Sequence, residues 1–153
     1  MKDPLEFWPF SDIPSDGISI YEGPEEFLDD YSQASVAERI AFSAYWLQAE
    51  VLNGGLDQFF DNDTGVLAPE AVATFKSLGL SRLASQLEQS MSCFGHPYPR
   101  DRETRQKKLG QLRLAFPDSD PFCADDDRLV DLIYSEAGGL EATAISYIRS
   151  LST

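Results

Sequence analysis

The sequence predicts an all-α fold, an irregular orthogonal bundle of about seven helices with an extended N-terminal arm. Apolar residues recur at helical spacing along most of the chain after residue 23. Capping residues, prolines and glycines divide this pattern into short helices, and no segment has the alternating pattern of a convincing strand. A length of 153 residues suits one domain, which we assign to residues 24–153, with residues 1–23 as the arm.

The arm is predicted from its prolines and glycines, which interrupt acidic and aromatic residues up to Gly23. Pro24 then favours the start of a helix, because proline suits a first helical position. Glu25 and Glu26 follow it, and acids are stabilised at the positive end of the helix dipole.

The central helix is predicted to begin at a capping box, in which Ser35 and Glu38 can bond each other's backbone amides. Residues 36–53 are apolar on nearly all sides, which is typical of a helix at the centre of a domain. We therefore expect Trp46 to be largely buried. The pair Gly54 and Gly55 should end this helix, with a positive φ at one of them.

Further helical segments follow the glycine pair. Short ones are predicted at 56–61 and 69–78, a clear apolar stripe runs from 80 to 94, and Asp101 can cap a helix that reaches about residue 116. Three consecutive acids at 125–127 suit the first turn of another helix, and the last is expected at about 140–151.

Charge is distributed very unevenly along the chain. The net charge is −14; residues 1–75 hold fifteen acids against only Lys2 and Arg39, whereas residues 76–153 hold eleven acids and ten bases. Such a surface repels the phosphates of nucleic acid and the headgroups of anionic membranes, so direct binding to either is not expected. The basic run from Arg100 to Arg113 is interpreted as a solvated helix face that could also pair with the acidic half.

The sequence contains no recognisable pattern of catalytic or metal-binding residues. The single histidine, His96, is the one possible base for a Ser-His-Asp or Cys-His mechanism, but it lies three residues past Cys93 in a loop of ordinary composition. No nucleotide-binding glycine motif is present. Residues 61–65 (DNDTG) resemble the start of a calcium loop, but Val72 stands where a bidentate Glu is required. We therefore expect no enzymatic activity, no cofactor and no metal.

The compartment is inferred from what the sequence lacks. No stretch approaches the ~20 apolar residues of a membrane-spanning helix, and the N-terminus has no secretory signal pattern. A cytoplasmic location is the default expectation. Cys93 and Cys123 show no pairing pattern and are expected to be buried thiols.

One segment, residues 50–65 (EVLNGGLDQFFDNDTG), has the character of a family signature. It resembles the NGG-x-x-Q-aromatic-aromatic-x-N-x-x-G core of a bacterial family of helical domains of unknown function typified by a DNA-mimic protein. The similarity extends over roughly residues 25–150. It implies an all-helical fold, no known enzymatic activity and, for the type member, an acidic surface that occupies the DNA site of a transcription factor. The positions that match this core are Asn53, Gly54, Gly55, Gln58, Phe59, Phe60, Asn62 and Gly65. Glu50 adjoins them and is counted with the motif.

The same residues can be interpreted physically as the parts of a sharp corner. The glycines turn the chain, and Phe59 and Phe60 enter the core. The side chains of Gln58 and Asn62 are predicted to bond backbone groups left free at the corner, and Glu50 could join them. The motif is therefore interpreted as mainly structural.

Two classes of function follow. The first is an acidic protein-binding domain that mimics DNA toward a basic DNA-binding protein such as a transcription factor, with an immunity or antitoxin-like inhibitor of a basic nuclease as a close alternative. The second is a small-ligand-binding or enzymatic domain that uses Glu50, Asn53, Gln58 and Asn62. The chain could act as a monomer or a homodimer. For the first class we predict one continuous acidic face with few bases nearby, formed by Glu22, Glu25, Glu26, Asp29, Asp30, Asp57, Asp61 and Asp63.

Overall fold

A computed structural model describes residues 17–151. The expectations for residues 1–16, most of the predicted arm, lie outside the described residues, and residues 17–23 are irregular. The described part contains seven α-helices and no strand, which confirms the predicted all-α class. The helices are α1 (Pro24–Gln33), α2 (Val36–Asp61), α3 (Ala68–Ser77), α4 (Ser81–Met91), α5 (Arg102–Ala115), α6 (Cys123–Ser135) and α7 (Leu140–Ser150). Short 3-10 turns occupy Asp63–Leu67, Ser92–Phe94 and Glu136–Gly138.

Helix α2 lies at the centre of the bundle, as predicted, and contacts α3, α5, α6 and α7. Its start is fixed by the predicted capping box. The Ser35 hydroxyl accepts a hydrogen bond from the backbone amide of Glu38, and the Glu38 carboxylate accepts one from the backbone amide of Ser35, each at 3.1 Å. Leu47 and Leu56 on α2 are fully buried. Burying a leucine side chain contributes roughly 1.5–3 kcal/mol, so the position of α2 is set mainly by its apolar contacts.

Helix α1 packs on the first part of α2 through one side only. Phe27 is fully buried, with its ring centroid 6.4 Å from that of Phe42. The hydroxyls of Tyr31 and Ser43 lie 3.1 Å apart, so a hydrogen bond also joins the two helices. These contacts leave the other side of α1 facing solvent.

One expectation about burial needs correction. Cys93 and Cys123 are exposed, not buried, because both lie at helix ends next to aromatic residues that fill the core in their place. Trp46 is partly buried against the core, where it packs against Phe42 and Tyr45, and it also lines a cavity. Among residues 17–151, no helix has both the length and the hydropathy required to cross a membrane.

Candidate functional site

Five of the predicted binding residues lie on or beside α1, and we call them the α1 acidic face: Glu22, Glu25, Glu26, Asp29 and Asp30. At 3.6 residues per turn, the four members between residues 25 and 30 fall within an arc of about 140°. The buried Phe27 lies on the opposite side of the helix. All members are exposed except Asp30, which is half-buried. The acids therefore form one solvent-facing stripe.

No Lys or Arg within residues 17–151 forms an ion pair with the α1 acidic face. Asp29 accepts a hydrogen bond from the Gln33 amide at 3.1 Å, and Asp30 accepts one from the Ser19 backbone at 3.0 Å. Arg39, the nearest base along the described chain, donates to backbone carbonyls at the end of α1 instead. The negative charge of this face is thus left without a cationic partner in the described structure.

The other three predicted residues, Asp57, Asp61 and Asp63, lie among bases. Arg113 donates to both carboxylate oxygens of Asp57, at 2.8 and 3.1 Å, and lies 3.9 Å from Asp61. Arg102 lies 3.3 Å from Asp63. The expectation of few bases nearby is therefore wrong for this group, because packing of α5 against α2 brings the basic run of α5 onto these acids.

The corner of the family motif is a kink inside α2. Gly55 has φ 76° and ψ −172°, so the predicted positive φ is confirmed, and the helix resumes at Leu56. The Leu56 amide, freed by the kink, donates to the carboxylate of Asp126 at 2.8 Å. A Cβ on Gly55 would lie 2.4 Å from that carboxylate, so only glycine fits here. Burial raises the pKa of Asp126 to about 6, with smaller contributions from neighbouring aspartates.

The polar residues of the motif converge on Glu50, which is 8% exposed. Its carboxylate accepts hydrogen bonds from Gln58 at 2.6 Å and from Asn62 and Thr64, each at 3.1 Å. Asn53 in turn donates to the Gln58 side-chain oxygen at 3.1 Å. The predicted bonds from Gln58 and Asn62 to the backbone of the corner are thus wrong, since a buried carboxylate is the better acceptor for both amides.

Gly54 and Gly65 of the motif are explained by close side chains. A Cβ on Gly54 would lie 2.0 Å from the side-chain oxygen of Gln58, and one on Gly65 would lie 2.7 Å from Nε of Arg105. Arg105 is fully buried and donates to four backbone carbonyls, two of which belong to Phe60 and Asn62. The interpretation of residues 100–113 as a solvated face is therefore wrong for Arg105. Phe60 is fully buried as predicted, and so is Phe59.

Sequence reasoning missed Asp126, Arg105 and Thr64. Asp126 lies in a run of three acids, and helix-dipole preference alone accounted for all of them. Arg105 lies in a run of exposed bases and differs from them only by its position on the inner side of α5. Spacing could not predict the contact of Asp126 with Leu56 or those of Arg105 with Phe60 and Asn62, because the residues in each pair are more than forty positions apart.

A cavity of about 490 Å³ lies on the outer side of α2, next to the Glu50 cluster. Its apolar lining comes from Tyr45, Trp46, Ala49 and Leu52, and its polar lining from Gln48, Glu50, Asn53 and Gln58. In the part of the chain that the structure describes, no three His, Cys, Asp or Glu side chains are grouped as metal ligands. The cavity is therefore a site with hydrogen-bond acceptors beside an aromatic wall.

Comparison with known proteins identifies the family. The model of the DMP19-like protein family matches residues 32–151. No curated protein and no solved structure gives a significant match. The matched region includes the kink, the Glu50 cluster and helices α2 to α7, and it begins within α1. The chain therefore belongs to the DMP19-like protein family.

Proposed function

We propose that this protein is an acidic protein-binding domain that mimics DNA and occupies the nucleic-acid site of a basic DNA-binding protein. The observation that carries the proposal is the α1 acidic face, whose members are exposed apart from the half-buried Asp30 and have no cationic partner within residues 17–151. Membership of the DMP19-like family supports it. The partner is a transcription factor or, in the alternative form of the proposal, a nuclease with a basic active-site groove.

The charge density of α1 supports mimicry of a phosphate backbone. An α-helix rises about 1.5 Å per residue, so the four carboxylates from Glu25 to Asp30 amount to about one charge per 2 Å of helix axis. Duplex DNA carries one charge per about 1.7 Å of its axis. A basic groove built for DNA would therefore meet a similar charge density along α1.

The second acidic group is left out of the proposed surface. Asp57, Asp61 and Asp63 already have Arg113 or Arg102 as partners. A basic partner would have to displace these arginines, which reduces the attraction available from that region. The proposal thus rests on α1 alone.

The test compares two triple variants with the same change in net charge. Glu25→Gln/Glu26→Gln/Asp29→Asn neutralises the α1 acidic face, and Asp118→Asn/Asp127→Asn/Asp131→Asn neutralises exposed acids in the other half of the chain. Immobilised wild type and both variants are used to capture basic proteins from a lysate of the source cell. The captured protein is then identified and assayed on its DNA.

Wild type and the second variant should release the captured protein from DNA, with association that weakens steeply as salt rises. The α1 variant should lose at least about ten-fold in affinity, since each exposed interfacial charge contributes to steering and complementarity. An equal loss of affinity in both variants would mean that binding depends on the net charge of the protein and not on the α1 acidic face. Binding that is indifferent to salt would contradict mimicry.

A further inference from the structure

The cavity beside Glu50 combines an aromatic wall with buried acceptor groups. Trp46 is half-buried and contributes its indole to the lining. The indole is inclined by 63° to the ring of Phe42 and by 70° to that of Tyr45, so neither ring stacks flat on it. An indole is the strongest aromatic partner for a cation.

Glu50 supplies a buried negative charge without a cation. Its two oxygens accept three hydrogen bonds and donate none, the pattern of an ionised carboxylate, which has room for about four. All three donors are neutral, and no Lys or Arg lies within ion-pair distance of Glu50 among residues 17–151. Buried charges are normally paired, so this carboxylate suits a cationic ligand.

Two amide side chains also line the cavity, those of Gln48 and Asn53. Asn53 donates to the side-chain oxygen of Gln58 at 3.1 Å, and Gln58 in turn donates to Glu50. The side-chain oxygen of Gln48 is buried without a hydrogen-bond partner within residues 17–151, but Gln48 lies about 160° around the axis of α2 from Glu50. Glu50 is therefore the charged acceptor that this cavity offers.

We propose that this cavity receives the guanidinium group of an arginine side chain presented by the basic partner, an inference that rests on the function proposed above. A guanidinium carries five N–H donors in a plane and stacks on aromatic faces, whereas an ammonium is a compact, strongly hydrated charge. It can therefore lie against Trp46 while it donates to Glu50. The α1 acidic face attracts the partner, and the cavity selects one arginine on it.

The test uses the full chain labelled with ¹⁵N and three small probes: the N-acetyl amides of arginine, lysine and citrulline. Citrulline has nearly the shape of arginine without its charge. Binding is followed from the indole N–H signal of Trp46, which a Trp8→Phe variant distinguishes from that of Trp8. The arginine probe should give a saturable shift, with the lysine probe weaker and the citrulline probe at least about ten-fold weaker, because a charge-assisted hydrogen bond is about twice as strong as a neutral one.

Variants of this chain separate the cavity from the acidic face. Glu50→Gln should weaken the arginine probe about ten-fold, and Trp46→Leu, followed from the backbone amide of Asn53, should weaken it about three-fold or more. The α1 triple variant should leave the arginine affinity within about two-fold, since screened surface charge acts weakly on a small probe at physiological salt. The same triple variant should bind the intact partner protein at least about ten-fold more weakly. The two proposals therefore fail in different experiments.

Three outcomes would overturn the inference. The first is the absence of a saturable shift of the Trp46 indole signal in the full chain, which would be seen if another segment filled the cavity. The second is equal affinity for the citrulline and arginine probes. The third is an unchanged affinity for the arginine probe in a Glu50→Gln variant whose circular dichroism matches that of the wild type. If Glu50→Gln does not fold, Trp46→Leu and the citrulline probe decide the result. If the protein binds the arginine probe but captures no basic partner, the inference about the cavity stands and the proposed function is rejected.

Discussion

The carboxylate of Asp126 accepts the backbone amide of Leu56 at 2.8 Å, directly beside the kink at Gly55. This contact joins the first turn of α6 to the C-terminal part of α2, seventy residues away in sequence. It gives an acceptor to the amide next to the kink, and it ties the short segment of α2 after the kink to α6. The family corner thus depends on a residue outside the family motif.

Gly55→Ala should destabilise the fold by about 2 kcal/mol or more, because a Cβ resists the positive φ and would also meet Asp126. Gly95→Ala is a matched control: Gly95 has φ 80° and ψ −172°, close to the values of Gly55, and only the end of the Lys108 side chain lies within 4 Å of the added Cβ, at 3.8 Å. Its cost should be about 1 kcal/mol, from backbone strain alone. Urea denaturation measures both, and equal costs would mean that Asp126 yields without penalty.

Asp126 should make stability depend on pH. Its pKa is raised from 3.8 to about 6 in the folded protein, so between these values the native state binds more protons than the unfolded state. The contribution of this group is fully present below pH ~4 and is lost as pH rises through ~6. Asp126→Asn, which keeps an acceptor for Leu56, should therefore gain stability relative to wild type as pH rises across this window. The difference in unfolding free energy between Asp126→Asn and wild type is measured by urea titration from pH 4 to 7, and a difference that does not change with pH would contradict the raised pKa of Asp126.

The sequence predicts the corner of α2 but not what supports it. Gly54 and Gly55 follow a long apolar helix, and local rules are enough to place a positive φ there. The capping box of Ser35 and Glu38 is found for the same reason, since both partners lie within one helical turn. Asp126 and Arg105 act on groups far along the chain, and local spacing carries no information about such contacts. The cavity at Trp46 was missed because helical periodicity shows which residues are apolar and not how completely neighbouring helices cover them.

Glu50→Ala should cost about 3 kcal/mol or more, because it leaves the donors of Gln58, Asn62 and Thr64 without their buried acceptor. Glu50→Gln keeps one side-chain oxygen and the same volume, so its cost should be smaller by about 1 kcal/mol or more. Thermal and urea unfolding of the two variants measure the difference. An Ala variant as stable as the Gln variant would show that the three donors find water or other acceptors.

Arg105→Lys should cost about 3 kcal/mol, although it keeps the positive charge. The guanidinium of Arg105 is fully buried and bonds four carbonyl oxygens, and an ammonium cannot reproduce this planar pattern. Arg102→Lys on the same helix is the matched control, because Arg102 is exposed and pairs with Asp63 at the surface. Its cost should be within about 0.5 kcal/mol. Similar costs for both would mean that burial of Arg105 contributes little to the fold.

Arg113→Gln tests whether the second acidic group belongs to the binding surface. The change frees Asp57 and Asp61 from their shared base and makes the region more negative by one charge. Its effect on stability should be below about 1 kcal/mol, since the Arg113 and Asp57 side chains are 43% and 32% exposed. If the α1 acidic face alone meets the partner, affinity should change by less than about two-fold at physiological salt, because charges separated by more than ~8 Å in water are largely screened.

The control for this variant is Lys76→Gln, which removes an exposed base that pairs only with Glu88 in the described structure. It adds the same negative charge far from both acidic groups in sequence, so any effect of net charge alone appears in both variants. A several-fold gain in affinity for Arg113→Gln over Lys76→Gln would contradict a surface limited to α1. Asp57 and Asp61 would then lie in the interface, and Arg113 would weaken binding in the wild type because the partner must displace it.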